Sequence, residues 1–248
     1  MDLAFAAFAF VPGLALGSFL NVVVARLPKR QSLVRPRSTC RSCGTEIRWR
    51  DNVPLVSYAL LRGRCRSCRA PIGLLYPAVE LATALLVAGC ILRFGVSLRA
   101  LVAAMFCAAL VAVTATDLEH RIIPTWVVGP ASVAVLLGQT LDRPSPEWAI
   151  AAFAASVFLL VAALAYPGGM GMGDVKLAFL MGAALGRDVA AALMIGMFSA
   201  LVPSIVMLAR HGAKARKMGI PFGPFLALGS VVALFAGGGL VHAYLTLF

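Results

Sequence analysis

Residues 3–24 contain no charged side chain. A helix crosses the hydrocarbon core of a bilayer in about 20 mainly apolar residues. Lipid admits only segments that satisfy their own backbone hydrogen bonds, so such a run points to a membrane helix. Similar apolar stretches follow at 74–92, 98–116, 125–141, 148–166, 189–208 and 220–247, with a shorter one at 175–186. Eight spans fit, the sixth short enough to be tilted, kinked or re-entrant. The expected fold is an all-α polytopic membrane protein. Composition agrees, at 61% hydrophobic and 13% charged residues, whereas soluble domains run near 45–50% and 25%. Disorder is excluded by the apolar content. Six cysteines in 248 residues are too sparse for a secreted disulfide scaffold. The first stretch has no basic leader or small-residue cleavage site, so it reads as a retained span.

The net charge of +12 is then a topology signal. With the N-terminus outside and eight alternating spans, the long polar loop after the first span faces the cytoplasm. It holds twelve Lys and Arg, and Arg121, Lys176, Arg210, Lys214, Arg216 and Lys217 fall on the same side. Only Arg93, Arg99, Arg143 and Arg187 fall outside. A seven-span layout would set residues 210–217 opposite the long loop. The basic residues flank spans without interleaved stacking aromatics, which argues against a nucleic-acid partner. Anionic membrane lipid is the generic partner of such a loop.

The long loop contains Cys40-x2-Cys43 and Cys65-x2-Cys68, with 21 residues between the pairs. Two such knuckles suit one tetrahedral zinc, although the gap slightly exceeds the usual spacing of about 15–20. Four thiolates leave no open coordination position, so the zinc is expected to be structural. It would supply folding free energy that a short polar loop lacks. Cys90 and Cys107 lie within spans and read as packing residues. His120, His211 and His242 are too scattered to form a metal site.

Among the ten carboxylates, Glu80, Asp117, Glu119 and Asp174 lie in or beside spans. Ionisable residues there are costly, which makes each a functional candidate. Asp117 ends the third span and Asp174 begins the sixth, so both map to the cytoplasmic boundary. Two carboxylates at one depth can share a proton, one activating water while the other protonates a carbonyl. That is aspartic peptide hydrolysis. The plain alternatives are a helix N-cap for Asp174 and pairing with Arg121 or His120 for Asp117. Glu119 points to another helix face. Asn21 reads as an interhelical hydrogen-bonding residue or part of a ligand site, and Lys176 as a headgroup anchor or a charge acting on the Asp pair. A transporter with a regulatory zinc loop is the rival reading, because intramembrane carboxylates also serve proton coupling.

Several motifs occur in a fixed order: Gly17-Ser-Phe-Leu-Asn21, Arg26-Leu-Pro28, the paired cysteines, Tyr76-Pro-Ala-Val-Glu80, Asp117-Leu118 with Ile123-Pro124, Gly171-Met-Gly-Asp174, and Pro221-Phe-Gly-Pro224. In this order the chain resembles the type IV prepilin peptidases, membrane aspartic proteases of the GxGD kind. The resemblance implies that Asp117 and Asp174 are the catalytic pair. It implies prepilin or pseudopilin substrates of type IV pili or type II secretion, cut at the cytoplasmic face of the bacterial inner membrane. It also implies methylation of the new N-terminus from S-adenosylmethionine, with Glu80 and Asn21 in stretches associated with that activity. The division then expected is a first transmembrane helix at 1–25, a cytoplasmic four-cysteine zinc module at 26–73 and a transmembrane peptidase domain at 74–248. One departure is Thr125, where the family commonly has Asp after Ile-Pro.

Overall fold

The computed structural model describes residues 2–29, 31–35, 37–165, 170–212 and 220–245. Arg30, Tyr166, Lys214, Arg216, Lys217 and Leu247, used above for span ends or charge counting, lie outside them, as do the side chains of His211 and His242. Among the described residues the chain is helical and carries no strand beyond isolated bridges. The helices are α1 (Asp2–Arg26), α2 (Val56–Leu60), α3 (Leu75–Phe94), α4 (Leu98–His120), α5 (Thr125–Asp142), α6 (Glu147–Ala165), α7 (Met172–Leu185), α8 (Val189–His211) and α9 (Gly223–Leu245). A helix therefore stands at each of the eight apolar stretches.

Five stretches are long and apolar enough to cross a membrane: Leu3–Lys29, Leu75–Phe94, Leu98–His120, Glu147–Ala165 and Met172–Arg210. The last runs through α7, a 3-10 turn and α8. Helix α5 ends in the polar run Gln139, Thr140 and Asp142, and α9 is apolar over a shorter stretch, Gly223–Gly237. Phe8, Phe153, Val161 and Phe198 project outward from these helices, an arrangement that suits lipid as solvent.

The chain divides into two compact units, Met1–Ala115 and Thr116–Phe248, with the boundary inside α4. In the first, α1 packs along α3. The side-chain amide of Asn21 donates to the Tyr76 carbonyl at 3.1 Å. The thiols of Cys90 and Cys107 are buried 3.9 Å apart between α3 and α4, unoxidised, as packing residues.

In the second unit, α7 is the central helix. Ten of its fourteen residues are buried, which explains why it is apolar all round and has no polar face. At a rise of 1.5 Å per residue it is about 21 Å long, shorter than the roughly 30 Å hydrocarbon core. Helices α5 and α6 flank it. Buried polar groups fasten them: Gln139 donates to the Ala184 carbonyl at 2.8 Å, and Ser156 to that of Val175 at 3.2 Å.

Gly182 sets the α6–α7 separation. A Cβ there would lie within the backbone of Ala151 and Ala152. Gly182→Val should therefore force the helices apart and destabilise the protein by roughly 2–3 kcal/mol, read as a lower midpoint of thermal unfolding in detergent. An unchanged midpoint would show that this contact is not tight.

Candidate active site and metal centre

Asp117 lies in the last turn of α4 and is 6% exposed; Asp174 lies in the first turn of α7 and is 8% exposed. Both belong to the second unit, and they are near enough to interact electrostatically. The fold thus brings together two carboxylates 57 positions apart in the chain.

Each carboxylate also meets the start of a helix. Asp174 Oδ2 accepts the Gly171 N–H at 3.2 Å, and its own N–H donates to the Gly171 carbonyl at 3.1 Å. Asp117 Oδ2 accepts the N–H of Gly223, the first residue of α9, at 2.9 Å. Helix N-termini present unsatisfied N–H groups and a positive dipole end. Each amide bond therefore offsets part of the cost of burying a carboxyl group where packing excludes most water. Asp174 is not the helix N-cap that the sequence offered: Gly171 holds that position, and Asp174, three residues on, reaches back to its N–H.

The sequence alone offers Arg121 or His120 as the partner of Asp117. Its hydrogen bond goes instead to a backbone amide 106 positions away. Arg121 adopts φ 55°, closes α4 through a bond from its N–H to the Asp117 carbonyl, and acts on the carboxylate by charge alone. His120 Nε2 is buried without a hydrogen-bond partner among the described residues. Glu119 is exposed. Gly223 is the residue that sequence reasoning missed. The Pro221-Phe-Gly-Pro224 string was visible, but nothing local says that its glycine amide faces Asp117. A Cβ on Gly223 would lie 2.8 Å from Asp117 Oδ2, so only glycine permits this approach. Lys176 Nζ donates to Thr125 Oγ1 at 2.9 Å, so the departure at position 125 keeps a hydrogen bond across α5 and α7.

The paired cysteines form two matching knuckles. The Cys40 N–H donates to the Thr45 carbonyl and Gly44 N–H returns to the Cys40 carbonyl, both at 2.9 Å. In the second knuckle Cys65 N–H donates to Ala70 and Arg69 N–H to Cys65. Gly44 and Arg69 occupy equivalent left-handed positions, at φ 69° and 58°. The four Sγ atoms lie within 4.8 Å of one another, and Cys40 and Cys68 are 3.8 Å apart. Tetrahedral Zn–S bonds of about 2.3 Å place sulfurs about 3.8 Å apart, so the cluster fits a four-coordinate ion. All four are free thiols. The Thr45 hydroxyl, 3.3 Å from Cys43 Sγ, draws that thiol down to about 6, and the Cys68 and Ser67 amides lower Cys65. Those two shifts favour the thiolate that a metal requires, whereas, despite the Ala70 amide, desolvation and the neighbouring cysteines push Cys68 up to about 11. Arg66, between the second pair, grips Asp51 with a fork of three bonds at 2.6–3.0 Å and holds its carboxyl below the usual range.

Glu80 accepts the Leu55 N–H at 2.9 Å, supporting the left-handed turn at Leu55 (φ 57°). Glu80 and Asn21 thus bind the protein's own backbone and hold the first unit together. They do not by themselves assemble a donor set for S-adenosylmethionine, and no methyl-transfer step follows from their geometry.

The fold and the site define a class: a helical membrane protein with two buried carboxyl groups and a four-cysteine cluster able to hold a metal ion. Residues 11–94 match the family model of the bacterial peptidase A24 N-terminal domain, and residues 104–209 that of the type IV leader peptidase family. Proteins named prepilin leader peptidase/N-methyltransferase are similar along most of the chain. The one from Burkholderia pseudomallei (strain 1026b) is 38% identical, over 93% of this chain and 85% of its own length. That from Bacillus subtilis is 34% identical, over 95% and 96%. That from Pseudomonas aeruginosa is 34% identical, over 98% and 94%. This chain belongs to the type IV leader peptidase family. No solved structure matches it.

Proposed function

We propose that this protein is a membrane aspartic endopeptidase. It removes the short basic leader of prepilins or pseudopilins at the cytoplasmic membrane face and methylates the new N-terminus. The observation that carries the proteolytic reading is that Asp117 and Asp174 are both buried, in one unit, at the end of α4 and the start of α7. The names of the relatives supply the methylation reading. The proposed division keeps a first span at 1–25, a zinc module at 26–73 and a peptidase domain at 74–248. Eight helices lie in the bilayer, α7 as a short one that does not reach across it alone, with the cysteine loop, Asp117 and Asp174 on the cytoplasmic side. Zinc is the structural ion, S-adenosylmethionine the methyl donor, and membrane lipid the surrounding partner; nucleic acid has no part.

In this mechanism neighbouring carboxylates share one proton. The ionised partner takes a proton from water as the water oxygen attacks the scissile carbonyl carbon. The protonated partner donates to the carbonyl oxygen, giving a neutral tetrahedral species. Proton transfer to the leaving amine then breaks the C–N bond. The Gly223 and Gly171 amides orient the two carboxylates. Co-expression with a model prepilin tests the reading, with product mass reporting leader loss and an added methyl group. An uncut precursor with several cognate pilins would overturn it.

Gly223→Ala should slow cleavage about 100-fold, because its Cβ displaces the Asp117 carboxylate and small misplacements of catalytic groups cost about that factor. Initial rates on matched amounts of inserted protein check this. Wild-type rates would show that the Gly223 amide does not position Asp117.

A further inference from the structure

A short connection, Arg121–Pro124, joins α4 to α5. Both of its ends are pinned. Arg121 turns the chain out of α4 in the left-handed region, with its N–H on the Asp117 carbonyl at 2.9 Å. Pro124 is extended, and its carbonyl accepts the Val127 and Val128 amides of α5 at 3.0 and 3.1 Å. Between these ends, Ile123 is laid against the first turn of α7. A Cβ on Gly173 would lie 2.7 Å from Ile123 Cβ, 3.3 Å from its Cγ1 and 3.4 Å from its Cδ1. Ile123 therefore fills the space that any side chain at position 173 would need.

The place of this contact in the chain matters. Ile123 lies just beyond Asp117, and Gly173 immediately precedes Asp174. The Gly223 and Gly171 amides each hold one carboxylate. Neither bond joins the segment of one aspartate to that of the other. The Ile123–Gly173 contact does. Isoleucine suits the task, because branching at Cβ leaves its χ1 little freedom. Glycine suits it too, because a bare Cα lets another segment approach the backbone closely. The Lys176–Thr125 bond joins the same two segments, but through an exposed and flexible side chain.

We propose that Ile123 is a positioning residue of the peptidase reaction. Seated on Gly173, it sets the separation of the Asp117 and Asp174 carboxyl groups, which must be close to share a proton. The proposal rests on the two-aspartate reading.

The test gives the purified full chain, zinc-loaded and in detergent, a model prepilin over a range of concentrations. Ile123→Ala should lower kcat about 30-fold, since misplacing catalytic groups by about 1 Å can cost about 100-fold. KM should stay within about twofold, because the loss falls on the transition state. Ile123→Val keeps the branched Cβ and should keep most of the wild-type kcat. Ile122→Ala removes the same apolar mass from a neighbour that is 51% exposed, and should stay within about twofold of wild type. A second arm swaps the contact. Gly173→Ala should cut slowly. Adding Ile123→Gly makes room for the new methyl, and the double variant should cut about tenfold faster than Gly173→Ala, the coupling expected of touching residues. Lost stability cannot produce that recovery, so this arm decides the matter if Ile123→Ala fails to insert. An unchanged kcat in Ile123→Ala, a rise in KM alone, or a double variant no faster than Gly173→Ala overturns the proposal. Asp117→Asn is measured beside them. If it cuts, the two-aspartate reading falls and the proposal with it. If it is inactive while Ile123→Ala cuts normally, only the role of Ile123 falls.

Discussion

Asp117→Asn and Asp174→Asn should each leave a co-expressed prepilin uncut, with the rate reduced about 1,000-fold or more. General acid–base groups supply roughly 10²–10⁴ each, and the pair works only when one member can take a proton while the other gives one. Asn can do neither, yet it is nearly isosteric. Its side-chain oxygen can still accept the Gly223 or Gly171 amide, so the α9 and α7 starts stay capped. Insertion, helical content and metal content should therefore be unchanged, which separates lost chemistry from lost structure. Product mass decides the matter. Full cleavage by either Asn variant, at matched membrane levels, removes that aspartate from the mechanism. Glu119→Gln serves as the comparison, because Glu119 is exposed on α4 and its variant should cut at close to the normal rate.

Replacing Cys40 with Ser, or stripping the metal with a chelator, should have the largest effect on stability, confined to the loop. Structural zinc in small Cys-rich modules is worth about 10–16 kcal/mol. Its other supports among the described residues are short-range ones, such as two isolated bridges, the one-turn helix α2 with its Ser57 and Tyr58 bonds, the Arg66–Asp51 fork and the Glu80 bond to Leu55. Bound zinc should fall from one per chain to near zero, and residues 31–72 should become sensitive to limited proteolysis. Methyl transfer and yield should fall before cleavage does, because Asp117 and Asp174 belong to the other unit. A Cys40→Ser protein that keeps stoichiometric zinc and a protease-resistant loop would show that the cysteines are not its ligands.

Much of this protein is legible in one dimension because the strongest signals are local. Twenty apolar residues make a membrane helix whatever their neighbours do, and a helix formed at each such stretch. The Cys-x2-Cys knuckles likewise carry their own turns, so the four-cysteine cluster is legible from their spacing. Helix α7 was the ambiguous piece. Its fourteen residues are too short for a simple span, and length alone could not say whether lipid or protein surrounds it. Its burial on nearly every face resolves that: its apolar surface meets α5 and α6.

The carboxylates mark the boundary between the two kinds of information. The chain itself determined that Asp117 would end one helix and Asp174 begin another, since hydropathy fixes about where each apolar segment stops. It could not determine what each carboxylate touches, because hydrogen bonds between distant segments leave no periodic trace. Local reasoning set Asp117 against Arg121 or His120, its nearest polar neighbours. Tertiary structure set it against the Gly223 amide instead, for a physical reason. The Gly223 N–H at the start of α9 has no acceptor within its own helix, and the carboxylate at the end of α4 is the acceptor within reach.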